Sequence, residues 1–329
     1  MKITINNKQF NFFASYGISL KYNAIASTFS FDALQDKLGF FIEYPNIQIF
    51  DDNDNLMLTG TCLAPNLKQT TKPELTQIGG YSLPGILEDC VIPVSSYPLQ
   101  FDNLSLNEIT SKVIKPFDIK FISTSNISTE FNKKYPKVAA EPSQSIKDFL
   151  TGLATQRNII LTNNEKGEIV FTRYIKQMPS ARLEEGQPGI NNIQLSINSQ
   201  ALHSEITVMR QATNDNPDSG EYTIQNPYCS KFRPTIKTLD SADIFDVQKA
   251  ARNELSNELT NIQITFQTTR LYKPGEIVEL KAPSININAF VELFIQETEI
   301  TGTTKDEYYQ VKCVLPDIYQ DNKVKSIFQ

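Results

Sequence analysis

Between residues 261 and 315 the chain alternates apolar and polar side chains almost without interruption, and this limits what it can fold into more than any other feature. The stretch NIQITFQTT puts Ile262, Ile264 and Phe266 on one side and Gln263, Thr265 and Gln267 on the other. A Pro274–Gly275 turn leads into IVEL, then into the long run AFVELFIQETEI. Gly302 follows, and then YYQVKCVL, in which Tyr309, Val311, Cys313 and Leu315 share a face. Period-two alternation marks strands with one buried and one wet face. Four such strands joined by short turns predict a barrel or a sandwich. Their wet faces carry Gln, Thr, Glu and Lys with no converging triad, which points to a shaped surface and not to an active site.

The chain has 329 residues, enough for two to four domains. Its formal net charge of -6 suits a protein that does not wrap a phosphate backbone, since wrapping needs many Lys and Arg to release counterions. A mildly acidic surface is read first as simple solubility, and it would also suit a wall that DNA passes without sticking. Cys62, Cys90, Cys229 and Cys313 lie far apart and form no CxxC pair, so free thiols are expected. The N-terminus MKITINNKQF is too polar for a signal peptide, and nowhere do 18 apolar residues run together. The expectation is a chain neither conventionally secreted nor membrane-spanning.

Up to about Leu99 the text is strand-like. Phe29 and Phe31 alternate with Thr28, Ser30 and Asp32, and IQIF (47–50) meets LML (56–58) across the turn DDNDN. That acidic turn lacks the Gly, the distal Glu and the flanking helices of a calcium loop, so it reads as a hairpin. Beyond Tyr97–Pro98 the period changes. Ser105 and Glu108 form a capping box ahead of an apolar stripe of Leu106, Ile109 and Val113, and Pro116 ends that helix. A second helix starts near Ser143 or Ser145 and buries Ile146, Phe149, Leu150 and Leu153. It leads through Asn158 into IILT, a turn at Gly167 and EIVFTR, which makes a small α/β or α+β unit. The polar stretch 177–189 marks its boundary. Ile193–Ile197 and Ile206–Met209 alternate again, and ATNDNPDSGE supplies only turn geometry. The interval 212–222 reads as a disordered loop or as an interface that orders on assembly. A third helix over 242–259 carries Ile244, Val247, Ala251, Leu255 and Leu259 close to one stripe.

Places for chemistry are few. His203, the single histidine, has no i,i+4 partner for zinc and sits between two strands, which favours a structural role. No GxSxG elbow is present, and Gly79–Gly80 and Gly152 fit no phosphate-cradling spacing. The carboxylates Glu88 and Asp89, and the series Glu292, Glu297 and Glu299, are the candidates for a glycosidase pair. On the polar faces of strands they read as solvated, and the absence of Trp weakens a sugar cleft. No catalytic, cofactor-binding or metal-binding residue is therefore assigned, and no cofactor is expected.

The order of elements resembles the baseplate hub proteins of contractile-tailed bacteriophages, the Mu-like hub and late control protein D group. Four stretches carry the resemblance: GGYSLPGILEDC at 79–90, the helix–strand–strand unit at 140–173, KFRPTIK at 231–237, and LYKPGEIVEL through to VLPDIY near the end. Gly80, Ser82, Leu87 and Asp89 fit the pattern of the first, where Tyr81 replaces a usual basic residue; Arg233–Pro234 match an RP pair. The resemblance implies a mainly β chain with an α/β insertion: a first β-barrel domain over 1–99, a small α/β domain over 100–178, and a second β-barrel domain over 179–329. It implies a homotrimer whose barrels alternate with pseudo-sixfold symmetry around a channel, joining the hexameric tail tube to the central spike. DNA passes that channel without specific binding. Tape-measure protein and baseplate wedge are further implied partners. The implied location is the tail baseplate of the virion, assembled in the host cytoplasm, and the implied role is structural, not enzymatic.

Two other classes stay open on the residues alone. One is a tail-tip adaptor of a non-contractile tail, or the hub of a tailocin or secretion particle. The other is a carbohydrate-binding or glycoside-hydrolase module.

Overall fold

The computed structural model describes residues 1–34, 44–63, 75–210, 220–239, 247–303, 305–319, 324 and 326–328. The chain divides into two compact units, Met1–Arg173 with Glu299–Tyr309, and Tyr174–Thr298 with Gln310–Gln329.

The first unit opens with seven strands: β1 (Lys2–Ile5), β2 (Lys8–Phe10), β3 (Phe13–Lys21), β4 (Thr28–Leu34), β5 (Asn46–Phe50), β6 (Leu56–Cys62) and β7 (Leu75–Ser82). They pair antiparallel in the order β3-β4-β7-β6-β5-β1-β2. The alternation read in the sequence is the alternation of burial: Phe29, Phe31 and Ala33 on β4 and Ile47 and Ile49 on β5 face the core. The acidic turn is a hairpin turn. Asp51 Oδ1 accepts the backbone N–H groups of Asn53 and Asn55 at 2.9 and 2.8 Å, and Asp54 takes the left-handed conformation (φ 58°). Asp51 is thus spent on closing the turn, while Asp52 pairs with the Met1 amine and Asp54 with Lys2 Nζ at 2.8 Å.

The rest of this unit comprises α1 (Ile86–Asp89), α2 (Leu106–Ile114), β8 (Phe121–Ser123), α3 (Ser128–Asn132), α4 (Ile146–Thr155), β9 (Ile160–Asn163) and β10 (Ile169–Thr172). Both halves of the Ser105/Glu108 capping box are present, and Ser145 caps α4 by accepting the N–H of Asp148. Leu106, Ile109 and Val113 of α2 and Ile146, Phe149, Leu150 and Leu153 of α4 are all buried, in one cluster with Phe101, Phe131, Tyr135 and Phe171. The hairpin β9–β10 was legible through Asn158 (φ 51°) and Gly167 (φ 74°). β8 was not. It pairs parallel to β10, making a three-stranded sheet in the order β8-β10-β9. Three residues with Ile122 exposed give no period to detect.

The second unit contains β11 (Ala181–Glu184), β12 (Ile190–Ile197), β13 (Glu205–Arg210), β14 (Gly220–Gln225), β15 (Pro234–Leu239), α5 (Val247–Leu259), β16 (Ile262–Thr268), β17 (Ile277–Ala282), β18 (Ile287–Thr303) and β19 (Glu307–Val314). The tip of the β18–β19 hairpin, residues 299–309, clusters with the first unit. The larger sheet runs β12-β16-β19-β18-β17-β11. The four terminal strands are therefore real, but β16 neighbours β19, not the β17 that follows it. Alternation identifies the face a strand buries and says nothing about its neighbour. Gly302 lies inside β18, buried, and not at a turn; a Cβ there would stand 2.4 Å from the Tyr16 hydroxyl oxygen. The smaller sheet runs β14-β13-β15, with β14 antiparallel and β15 parallel to β13. Helix α5 packs on β13 and β14, burying Ala250, Ala251, Leu255 and Leu259 against Ile206 and Val208. Residues 242–246, where the helix was expected to begin, lie outside the described residues, as do 211–219. Residues 220–222 of the expected loop are strand, paired to 208–210.

The expected β-barrels are not there. The ladder stops at β2, which pairs only with β1, while β3 at the other end of the seven is flanked by β18, and β12 and β11 are ends that do not meet. Among the described residues no sheet closes. Closure requires the first and last strands to hydrogen-bond at matched tilt and shear. An open sheet packed on helices or loops satisfies the same alternation, so the pattern could not discriminate.

Candidate interaction surfaces

The residues that carried the resemblance at 79–90 are occupied with folding. β6 and β7 approach so closely that a Cβ on Gly60 would lie 2.2 Å from Tyr81 O, and one on Gly80 would lie 2.1 Å from Thr61 O. Ser82 Oγ accepts the backbone N–H of Ser27 at 3.0 Å and donates to Asn163 Oδ1 at 3.3 Å, while Asn163 Nδ2 donates to Ala24 O. Leu87 is fully buried. Tyr81 donates its hydroxyl to Asp89 Oδ2 at 2.8 Å, and its ring occupies the space a side chain on Gly85 would need. From the same stretch onward, Ile86, Val91, Val94 and Tyr97 are exposed within one short segment.

Two further clusters fix local geometry. Arg157 stacks its guanidinium 3.4 Å from the centre of the Tyr135 ring and donates to the carbonyls of Glu130 and Lys133. Burial pushes the Tyr135 phenol up to about 12, so it stays a donor, to Leu153 O at 2.7 Å. At the hairpin tip, Glu307 accepts hydroxyls from Tyr16 (2.5 Å) and Tyr309; burial, reinforced by that carboxylate, drives both phenols well above their usual range.

In the second unit His203 is structural. Its Nδ1 lies 2.6 Å from Glu258 Oε1 of α5, and its backbone N–H donates to Glu258 Oε2 at 2.9 Å; Asn226 Nδ2 reaches the same oxygen at 3.4 Å. Arg233 of the RP pair donates to the carbonyls of Ser199 (2.7 Å) and Gln200 (3.0 Å), and its N–H to Ser204 Oγ (2.8 Å). Pro234 then starts β15. The motif is a clasp that sets the entry of an edge strand.

The carboxylate candidates do not converge. Glu88 and Asp89 sit exposed on the single turn of α1. Glu292 stands opposite Glu279 across β17–β18, and Glu297 pairs with Lys312 at 3.9 Å. Glu299 is exposed. Asp317, half-buried, is held above the usual aspartate range by burial and then by the charge of Glu292. Gly79, Gly80 and Gly152 are all in regular strands or helix, with no loop to cradle a phosphate. Cys62 and Cys313 are buried thiols and all four cysteines are free. Among the described residues no group of three or more His, Cys, Asp or Glu is arranged to hold a metal ion, and no helix is long and apolar enough to cross a membrane. What the fold offers to other molecules is surface: the apolar segment 86–97, and the edge at β15, where Phe232 and Ile236 are 75% and 64% exposed.

This is the fold of phage tail proteins. It is similar to the 43 kDa tail protein of prophage MuSo2 from Shewanella oneidensis (TM-score 0.80, 17% identity, 97% of this chain and 99% of that one). It is similar to a tail protein from Neisseria meningitidis (0.78, 17%, 97% of each chain). It also matches an Escherichia coli protein, c3393, a component of the type VI secretion system with structural similarity to the T4 phage tail proteins gp27 and gp5 (0.60, 9%, 100% and 80%). Residues 84–173 match the family described as baseplate hub protein gp44-like, second domain. The match bears out the resemblance to baseplate hub proteins. No curated protein sequence matches the chain.

Proposed function

We propose that the chain is a structural baseplate hub protein of a phage or phage-like tail, acting by shape and contact and not by catalysis. The observation that carries this reading is the gp44-like second domain at 84–173, set within a fold shared along 97% of the chain with phage tail proteins. In this reading three copies form a ring with pseudo-sixfold symmetry, contributed by the strand-rich regions before 100 and after 178 in each copy. The ring joins the hexameric tail tube to the central spike and leaves a channel for DNA. Tube and spike are its direct partners, tape-measure protein and baseplate wedge lie beyond, and the protein resides in the virion's tail baseplate. The net charge of -6 accords with a channel that DNA traverses without sticking.

The similarity to a type VI secretion component supports a second reading, the same hub role in a tailocin or secretion particle. Light scattering of the purified chain over a concentration series, alone and mixed with the spike and tube proteins of the same particle, tests the proposal. A mass three times that of the chain, alone or on adding either partner, is expected. A monomer that captures neither refutes it.

A further inference from the structure

We infer that the edge of β15 receives an extended, acidic strand from a partner protein. β15 is the terminal strand of the sheet β14-β13-β15, so one side of its backbone has no strand beside it among the described residues. Unpaired edges template the addition of another strand, and folds that avoid this cover the edge or blunt it. Here α5 packs over β13 and β14, and among the described residues Pro234, Ile236, Lys237 and Thr238 of β15 are all exposed. Pro234 blunts only the first position, since it lacks an N–H, and pairing is open from Thr235 onward.

The register sorts the exposed side chains by face. Ile236 lies beside Thr207 on the face away from α5, and Lys237 lies beside Val208 on the α5 face; the exposed Lys231 and Phe232 stand in the bend just ahead of the strand. The edge is therefore apolar on one face and cationic on the other. Residues 222–239 contain three basic side chains and no acidic one, in a chain whose net charge is -6. Arg233 is held by the carbonyls of Ser199 and Gln200, whereas Lys231 and Lys237 are exposed and have no ion pair among the described residues. A strand laid along β15 would match it with Asp or Glu on the α5 face and aliphatic side chains on the other. This inference concerns the second unit and does not depend on the trimeric ring.

Two blocked peptides test it, one alternating Glu with Val and one alternating Lys with Val, titrated into the full chain and followed by fluorescence anisotropy and amide hydrogen exchange. The Glu–Val peptide is expected to bind, more weakly as salt rises, and to protect the amides of 235–239. With one cross-strand charge pair at Lys237 and one charge contact at Lys231 just ahead of the strand, ~0.2–1 kcal/mol each, the double variant Lys231→Glu, Lys237→Glu should weaken it by about 2- to 30-fold and favour the Lys–Val peptide. These residues are exposed, so circular dichroism should show the variant folded. Equal binding of both peptides, indifference to the charge reversal, protection elsewhere, or binding of a single-stranded oligonucleotide in place of the peptide would each overturn the inference.

Discussion

Gly80→Ala should destabilise the first unit, whereas the same change one residue earlier should not. A Cβ on Gly80 would lie 2.1 Å from Thr61 O and 2.4 Å from Cζ of Phe29. The carbonyl belongs to β6, which the register Cys62↔Gly80 ties to β7, so it can retreat only if the strands part. The Phe29 ring is buried and stacks on Phe31 at 6.2 Å, which leaves it little room to turn. Overpacking of this kind costs ~1–3 kcal/mol, and blockage by both backbone and ring puts Gly80 at the upper end. Replacing a strand glycine by alanine returns ~0.5–1 kcal/mol of backbone entropy, leaving a net loss of about 2 kcal/mol. At Gly79 the new Cβ meets only Phe29 O at 3.6 Å, an ordinary contact, so the entropy gain stands alone. At ~2–4 °C per kcal/mol for a unit of this size, the two variants should melt roughly 5–10 °C apart. Thermal melts of both variants, with hydrogen exchange across residues 56–82 to assign the loss to β6–β7, measure the difference. Coincident melting of the two would refute the reasoning.

Two further outcomes are expected. Glu258→Ala strips the acceptor from the His203 and Asn226 groups that clasp α5, and should cost the second unit ~1–3 kcal/mol in urea titration; no change in midpoint would show that the clasp contributes nothing. For Asp317, the folded-state pKa is raised, so ionisation opposes folding: the penalty is absent below the unfolded value of about 3.9 and complete once pH has risen through the folded value. Asp317→Asn should therefore stabilise the protein at pH 7 relative to the parent and lose that advantage in acid, and an equal effect at both pH values would exclude the linkage.

Local order was readable because it is set by short-range rules. The Ser105/Glu108 box, the stripes of α2 and α4, the turns at Asn158, Gly167 and Gly275, and the buried faces of β4, β5, β16 and β19 all follow from periods of two or 3.6 and from a few backbone preferences. The elements that escaped were short or lacked a period. β8 has three residues, and β15 is exposed on both faces, so neither presents an apolar row. The signature residues Gly80, Ser82, Leu87 and Asp89 could be recognised in the sequence, but what they do could not: two strands pressed together, one hydroxyl joining Ser27 to Asn163, and a carboxylate answering a tyrosine.

By itself, then, the sequence determined the kind of chain this is: mainly β, with a helical insertion, and with His203 and the carboxylates scattered on strands and turns instead of gathered. Which strands meet was decided only in three dimensions. Alternation constrains one residue relative to the next, whereas pairing β16 with β19, ending the ladders at β2, β11 and β12 without closing them, and leaving β15 bare all depend on contacts between residues far apart in the chain. A surface for partners is what remains after those contacts are made, and no local pattern records it.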